Sequence, residues 1–102
     1  MEFQIESRSG RVSVSGDMTV YCAAELKPAL LAEAAAGYHS LELDLSQVQE
    51  FDTAGLQLVL LLAREMQGRL RIVASSPIVR AALELSHASR LIGADPGSAE
   101  AA

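Results

Sequence analysis

At 102 residues the chain has room for one domain and not two, and a domain of that size buries a core without disulfide or metal staples. Half of it is apolar and only 4% aromatic, so the core must be built from Leu, Val, Ile and Ala. The formal net charge of −5 speaks against nucleic acid as a partner, which needs a basic patch, and the longest apolar run, residues 58–63, is far too short for direct membrane insertion. The single cysteine, Cys22, has no partner within the chain, and residues 1–5 carry neither the basic nor the apolar region of a secretory leader. The expected location is the cytoplasm.

Phe3 and Ile5 alternate with Glu2, Gln4 and Glu6, and Val12 and Val14 alternate with Arg11, Ser13 and Ser15. Both stretches have the period of two of a half-buried strand. Arg8-Ser9-Gly10 between them predicts a hairpin, and Gly16-Asp17 is expected to end it. Residues 21–36 are rich in Ala, Leu, Glu and Lys and predict a helix, with Leu26, Leu30, Leu31 and Ala34 on one face. Pro28 is comfortable only in a first turn, so the regular helix is expected to start near Leu26, with residues 21–27 a separate turn or a kinked start. Gly37 stops it. Leu41, Leu43 and Leu45 give a third strand, and Leu70, Ile72 and Ala74 a fourth; residues 53–67 between them form a strongly apolar helix. Ser76 and Pro77 supply an N-cap and an N1 proline for a third helix with Ile78, Val79, Ala82, Leu83 and Leu85 on its apolar side. Leu91-Ile92 reads as a short last strand.

Strands alternating with helices from the second strand onward imply an α/β fold. Its sheet of four to five strands is mainly parallel, with an antiparallel first strand. The clean alternation in the strands places the helices mostly on one face. The domain is expected over residues 1–92, with a flexible C-terminal tail over 93–102.

The richest stretch in the chain is residues 43–56, Leu-Asp-Leu-Ser-Gln-Val-Gln-Glu-Phe-Asp-Thr-Ala-Gly-Leu. A strand ends, a short loop follows, and a helix begins at Asp52-Thr53. A helix start offers unpaired N–H groups and a partial positive charge that stabilise a phosphate or a carboxylate. Thr53 brings a hydroxyl to that spot. Either Thr53 or Asp52 can cap the helix. Ala54 and Gly55 are small enough for a partner to approach the backbone closely. On a helical wheel Leu56, Val59, Leu62, Ala63 and Met66 face the sheet, while Gln57, Arg64, Glu65 and Gly68 face water. Leu61 falls among the polar group, which makes it a candidate anchor in a contact running from Thr53 along the exposed side. Asp44, on the polar face of the third strand, is either a solvated carboxylate or part of the partner surface near the loop. His39 and His87 sit at element boundaries, Cys22 reads as a small buried hydrophobe, and no catalytic constellation, metal-ligand set or glycine-rich cofactor loop is present in the sequence.

This stretch resembles the STAS signature, Asp-Leu-Ser, a spacer, then Asp-Ser-Ser/Thr-Gly-Leu, and the resemblance extends from Glu2 to about Ile92. In bacterial anti-sigma-factor antagonists of this family the first hydroxyl residue after the aspartate is phosphorylated by a partner that is both kinase and anti-sigma factor. The matching position is Thr53. Threonine here replaces the usual serine, and Ala54 replaces the second hydroxyl. The Asp-Thr-Ala-Gly-Leu variant also resembles STAS proteins found with chemotaxis components and STAS accessory subunits of phospholipid-transport ABC ATPases. The resemblance thus implies a non-enzymatic, cofactor-free binding module. Its partner would be a kinase/anti-sigma factor or a transporter ATPase, and its contact surface would include Asp44, Asp52, Thr53, Ala54, Gly55, Gln57, Leu61 and Arg64.

Overall fold

A computed structural model describes residues 2–88. The elements run β1 (Phe3–Arg8), β2 (Arg11–Met18), α1 (Ala23–Ala34), β3 (Leu41–Phe51), α2 (Thr53–Glu65), β4 (Leu70–Ser75) and α3 (Pro77–Leu85). The four strands form one sheet in the order β1-β2-β3-β4. β1 pairs antiparallel with β2, and the other two ladders are parallel. The predicted hairpin is there. Arg8 faces Arg11 across a two-residue turn in which Ser9 and Gly10 both have positive φ, the primed geometry that matches strand twist. The expected last strand at Leu91-Ile92 and the tail 93–102 lie outside the described residues.

Both parallel crossovers advance one place in the same direction across the sheet, so their usual right-handedness puts α1 and α2 on one face. The burial pattern agrees. Val12, Val14, Leu41, Leu43, Leu45, Leu70 and Ile72 join residues from all three helices in one cluster. Their strand neighbours Ser13, Ser15, Glu42, Asp44 and Arg71 are left on the open side. Each fully buried leucine of β3 contributes about 1.5–3 kcal/mol of burial.

Three expectations about where the elements run need correction. β2 does not end at Gly16-Asp17 but continues to Met18, which is buried. Gly16 takes φ 91° there, and a Cβ on it would collide with the Glu2 carbonyl just before β1. β3 does not end at Leu45 either; the expected loop over residues 46–51 is strand. Its buried positions are Leu41, Leu43, Leu45, Val48 and Phe51, so the inward spacing lengthens from two to three twice. Each lengthening coincides with a register shift against β2, where Ser13 to Ser15 spans Asp44 to Gln47 and Gly16 to Asp17 spans Val48 to Glu50. An extra residue in a strand flips its phase, and a period-two reading takes that for a strand end. Finally, α1 starts at Ala23, not near Leu26, and contains Pro28. The N–H that proline lacks would have bonded the Ala24 carbonyl. Ala24 and Pro28 are both exposed, so water can serve that carbonyl.

In α1, Leu26 and Leu30 are buried, while Leu31 and Ala34 are half-buried. α3 begins as expected at Pro77, but the Ser76 side chain makes no capping bond. Val79 and Leu83 are its buried residues; Ile78 and Leu85 are exposed, contrary to their assignment to the apolar side.

Candidate functional site

A single residue, Asp52, separates the end of β3 from α2, and it is the N-cap of α2. The backbone of Asp52 is extended, with ψ −169°, which turns the carboxylate back over the first turn. Asp52 Oδ1 accepts from the N–H groups of Ala54 at 2.9 Å and Gly55 at 3.2 Å. Its Oδ2 accepts from the Val20 N–H, 3.0 Å away, in the loop between β2 and α1. One carboxylate therefore closes the helix start and ties a second loop to it. Of the two candidate caps, the structure assigns the work to Asp52. Thr53 is the first helical residue, exposed, and its hydroxyl bonds to none of the described residues.

The electrostatics differ from those of an empty helix start. The Asp52 carboxylate already takes two of the donors that a phosphate would otherwise use. A phosphate on Thr53 would keep only that residue's own N–H and would lie beside a carboxylate. It would stay largely hydrated rather than locked to the backbone.

Gly55 is buried, so it is not a place where a partner approaches. A Cβ there would collide with the Met18 carbonyl oxygen at the end of β2 and lie 2.9 Å from the Phe51 ring. Its missing side chain lets α2 sit against the sheet. Ala54 is half-buried, and Asp52, Gln57 and Arg64 are exposed. At 100° per residue Thr53, Gln57, Leu60 and Arg64 share one stripe of α2. Leu61 lies about 60° to the side and is half-buried, not exposed as the wheel suggested. The reason is that the buried face centres on Gly55, Leu58, Val59, Leu62 and Met66, displaced toward Leu61; Leu58 was not among the residues expected to face the sheet. Leu56 and Ala63 are half-buried and pack against the core.

Asp44 does not join this site. It lies on the open face of the sheet, eight residues back along β3, roughly 20–25 Å at ~3.3 Å per residue. Its Oδ1 accepts from the Ser46 N–H at 2.9 Å, and its Oδ2 is 3.6 Å from an Arg11 guanidinium nitrogen. Partial burial alone would raise its pKa. The Ser46 backbone and hydroxyl, with the Arg11 charge, outweigh that and hold the carboxyl below the usual aspartate value. His39 and His87 are exposed and Cys22 is buried. Among the described residues no three His, Cys, Asp or Glu side chains gather in a way that could hold a metal ion. No described helix is long and apolar enough to cross a membrane.

Sequence reasoning missed Val20 and Tyr21. They are 62% and 77% exposed beside the Asp52 cap, large apolar side chains with no core to fill. A signal was present. Met18, Cys22, Leu26 and Leu30 recur at intervals of four and are all buried, which leaves Val20 and Tyr21 on the outward side of the entry to α1.

A mixed sheet covered on one face by three helices, with a capped helix start displaying a free hydroxyl, is the architecture of a small α/β domain of the STAS type. A family model described as "Mlab, STAS domain" matches residues 1–93, and the chain belongs to that family. An anti-sigma factor antagonist from Mycobacterium paratuberculosis superposes with a TM-score of 0.77 at 25% identity, over 93% of this chain and 85% of that one. The anti-sigma factor antagonist SpoIIAA in its unphosphorylated form gives 0.73 at 20% identity over 97% and 93%. The Bacillus cell fate determinant SpoIIAA in the phosphorylated form gives 0.67 at 20% identity over 97% and 96%. No curated protein sequence matches the chain.

Proposed function

We propose that the chain is a cytoplasmic protein–protein interaction switch of the anti-sigma-factor-antagonist kind, in which a partner kinase phosphorylates Thr53. The observation that carries this reading is the state of Thr53. Its hydroxyl is exposed and unbonded at the first residue of α2, because Asp52 has taken over the capping role. A threonine held only as a cap would not be left in that state. The contact surface is the helix start and the adjoining stripe: Asp52, Thr53, Ala54, Gln57 and Arg64. The phosphate would add about −1.5 to −2 charges beside Asp52. With few backbone donors left to hold it, it changes the surface and leaves the fold alone, acting by obstructing the partner. SpoIIAA, with the same fold, exists in a phosphorylated form, which supports the reading.

Ala54 in place of a second hydroxyl favours one other reading: an accessory STAS subunit bound to a phospholipid-transport ATPase, in which Thr53 is an interface residue without phosphate. Intact-mass spectrometry of the protein from its own cells, across growth conditions, separates the two. A phosphate mapped to Thr53, with partner binding kept by Thr53→Ala and lost in Thr53→Glu, is the expected result. Thr53 unmodified in every condition, with Thr53→Ala and Thr53→Glu both fully functional, would sink the switch.

A further inference from the structure

We infer that the partner surface received at the Thr53 end of the molecule is an apolar recess ringed by lysine and arginine, with Val20 and Tyr21 filling the recess. This rests on the reading of that end as the docking site and adds the chemistry of what docks. Val20 and Tyr21 project from a loop fastened on both sides. The Val20 N–H bonds the Asp52 carboxylate, and the Cys22 N–H bonds the Thr19 carbonyl at 2.9 Å. Met18 before the loop and Cys22 after it are buried. An exposed tyrosine on a preorganised loop costs little ordering entropy when it is covered, and aromatic residues of this kind are frequent binding hot spots.

Charge identifies what surrounds the recess. Glu2, Asp17 and Glu25 line one open depression, with Asp17 near the end of β2 and Glu25 in the first turn of α1, on either side of the loop along the chain. Glu50 stands opposite Asp17 across the β2–β3 ladder, and Asp52 touches the loop itself. Glu2, Glu25, Glu50 and Asp52 form no ion pair with described residues. Most of the arginines lie elsewhere: Arg8 and Arg11 flank the hairpin turn, Arg64 is in the last turn of α2, and Arg69 and Arg71 are at the start of β4, all at the far end of the strands, while Arg80 is in the first turn of α3. Lys27, in the second turn of α1, is one cation set against the four carboxylates Glu2, Glu25, Glu50 and Asp52. An apolar pair bordered by carboxylates is complemented by an apolar recess bordered by cations, and such complementarity speeds association and rejects wrong partners. A second copy of the chain does not fit, since a two-fold contact sets these carboxylates against themselves. Nucleic acid and anionic lipid are repelled for the same reason. A further consequence concerns the switch. Against a basic partner, a phosphate on Thr53 cannot act by net repulsion, so it acts through bulk and its hydration shell.

The test places a photo-crosslinking benzoylphenylalanine at position 21 of the full chain in its own cells. The crosslinked protein is identified, purified and titrated calorimetrically at low and high NaCl. Tyr21→Ala should weaken binding at least tenfold while leaving the circular dichroism unchanged. The Glu25→Lys/Glu50→Lys pair should weaken it at least tenfold at low salt and far less at high salt. Binding within twofold of wild type for Tyr21→Ala, a salt-independent affinity, or crosslinks only to a second copy or to lipid would overturn the inference. If Tyr21→Ala and salt act as stated but Thr53→Glu binds like wild type, the docking surface stands and the phospho-switch falls. If Thr53→Glu abolishes binding while Tyr21→Ala and salt leave it unchanged, the phospho-switch stands and the docking surface falls.

Discussion

Asp52 carries two jobs on two oxygens, and substitutions can separate them. Asp52→Ala removes the cap bonds to Ala54 and Gly55 and the link to Val20. Loss of an aspartate N-cap costs about 0.5–2 kcal/mol, typically near 1. The freed Val20 N–H belongs to an exposed residue and can be rehydrated, so the lost link adds only a few tenths, at the weak end of hydrogen-bond values of ~0.5–1.5 kcal/mol. The sum is about 1.5 kcal/mol, which in a domain of this size lowers Tm by roughly 6–12 °C. Asp52→Asn behaves differently. Its Oδ1 can still cap, and asparagine is about as good an N-cap as aspartate. Its amide nitrogen, however, replaces the oxygen that receives the Val20 N–H and turns that contact into donor against donor. Urea denaturation should therefore find Asp52→Asn close to wild type and Asp52→Ala clearly weaker. Amide hydrogen exchange should find Val20 faster in both. Equal stability losses in the two variants, or an unchanged Val20 exchange rate in Asp52→Asn, would refute the division of labour between the oxygens.

Gly55→Ala should destabilise by about 1–3 kcal/mol, the usual cost of forcing extra volume into a packed site, because the new methyl meets the Met18 carbonyl; thermal melts check this, and a neutral result would show that α2 is free to slide. The Asp44 carboxyl, held low in the folded state, contributes stability that is present above its unfolded value of about 3.9 and is lost as pH falls through the lower folded value. A ¹³C titration of the carboxyl should place its midpoint below that of an exposed aspartate, and Arg11→Ala should move it upward.

The elements were legible where one periodicity governed them, as in the β1–β2 hairpin, the leucines of β3 up to Leu45 and the Ser76-Pro77 start of α3. They became illegible where backbone geometry broke the period. The extra residues between Asp44 and Gln47 and between Val48 and Glu50 turned the end of β3 into an apparent loop. Pro28 suggested a helix start because propensity weighs a missing donor heavily, yet the carbonyl left over faces water and the helix forms around it. The site divided along similar lines. The Asp52-Thr53 start was readable from residue types alone. The choice of cap was not, because it depends on the ψ of Asp52 and on a loop 32 residues earlier in the chain. Gly55 looked like an opening for a partner because its actual neighbour, the Met18 carbonyl, is brought to it by the fold alone.

The two phase slips in β3 also decide where Thr53 stands. The last pairing between β3 and β4 joins Leu45 to Ser75, yet β3 runs on for residues 46–51 with β2 as its partner. At ~3.3 Å per residue that carries the start of α2 roughly 20 Å beyond the last β3–β4 pair. Without the two phase slips, strict alternation from Leu45 would point the odd positions inward and leave Val48 on the polar face. With them, Val48 and Phe51 both turn inward and anchor the extension, although it is paired along one edge only. The extension ends at Met18, whose carbonyl receives the Asp52 N–H at 3.4 Å and sets the clearance that only a glycine at position 55 can meet. A helix start at the level of Leu45 would be crowded by the β4–α3 connection, whose Ser76 N–H bonds the Leu45 carbonyl at 3.1 Å. Displaced as it is, the start lies clear of that connection and beside the exposed Val20-Tyr21 loop, a position that another protein, kinase or binding partner, can reach.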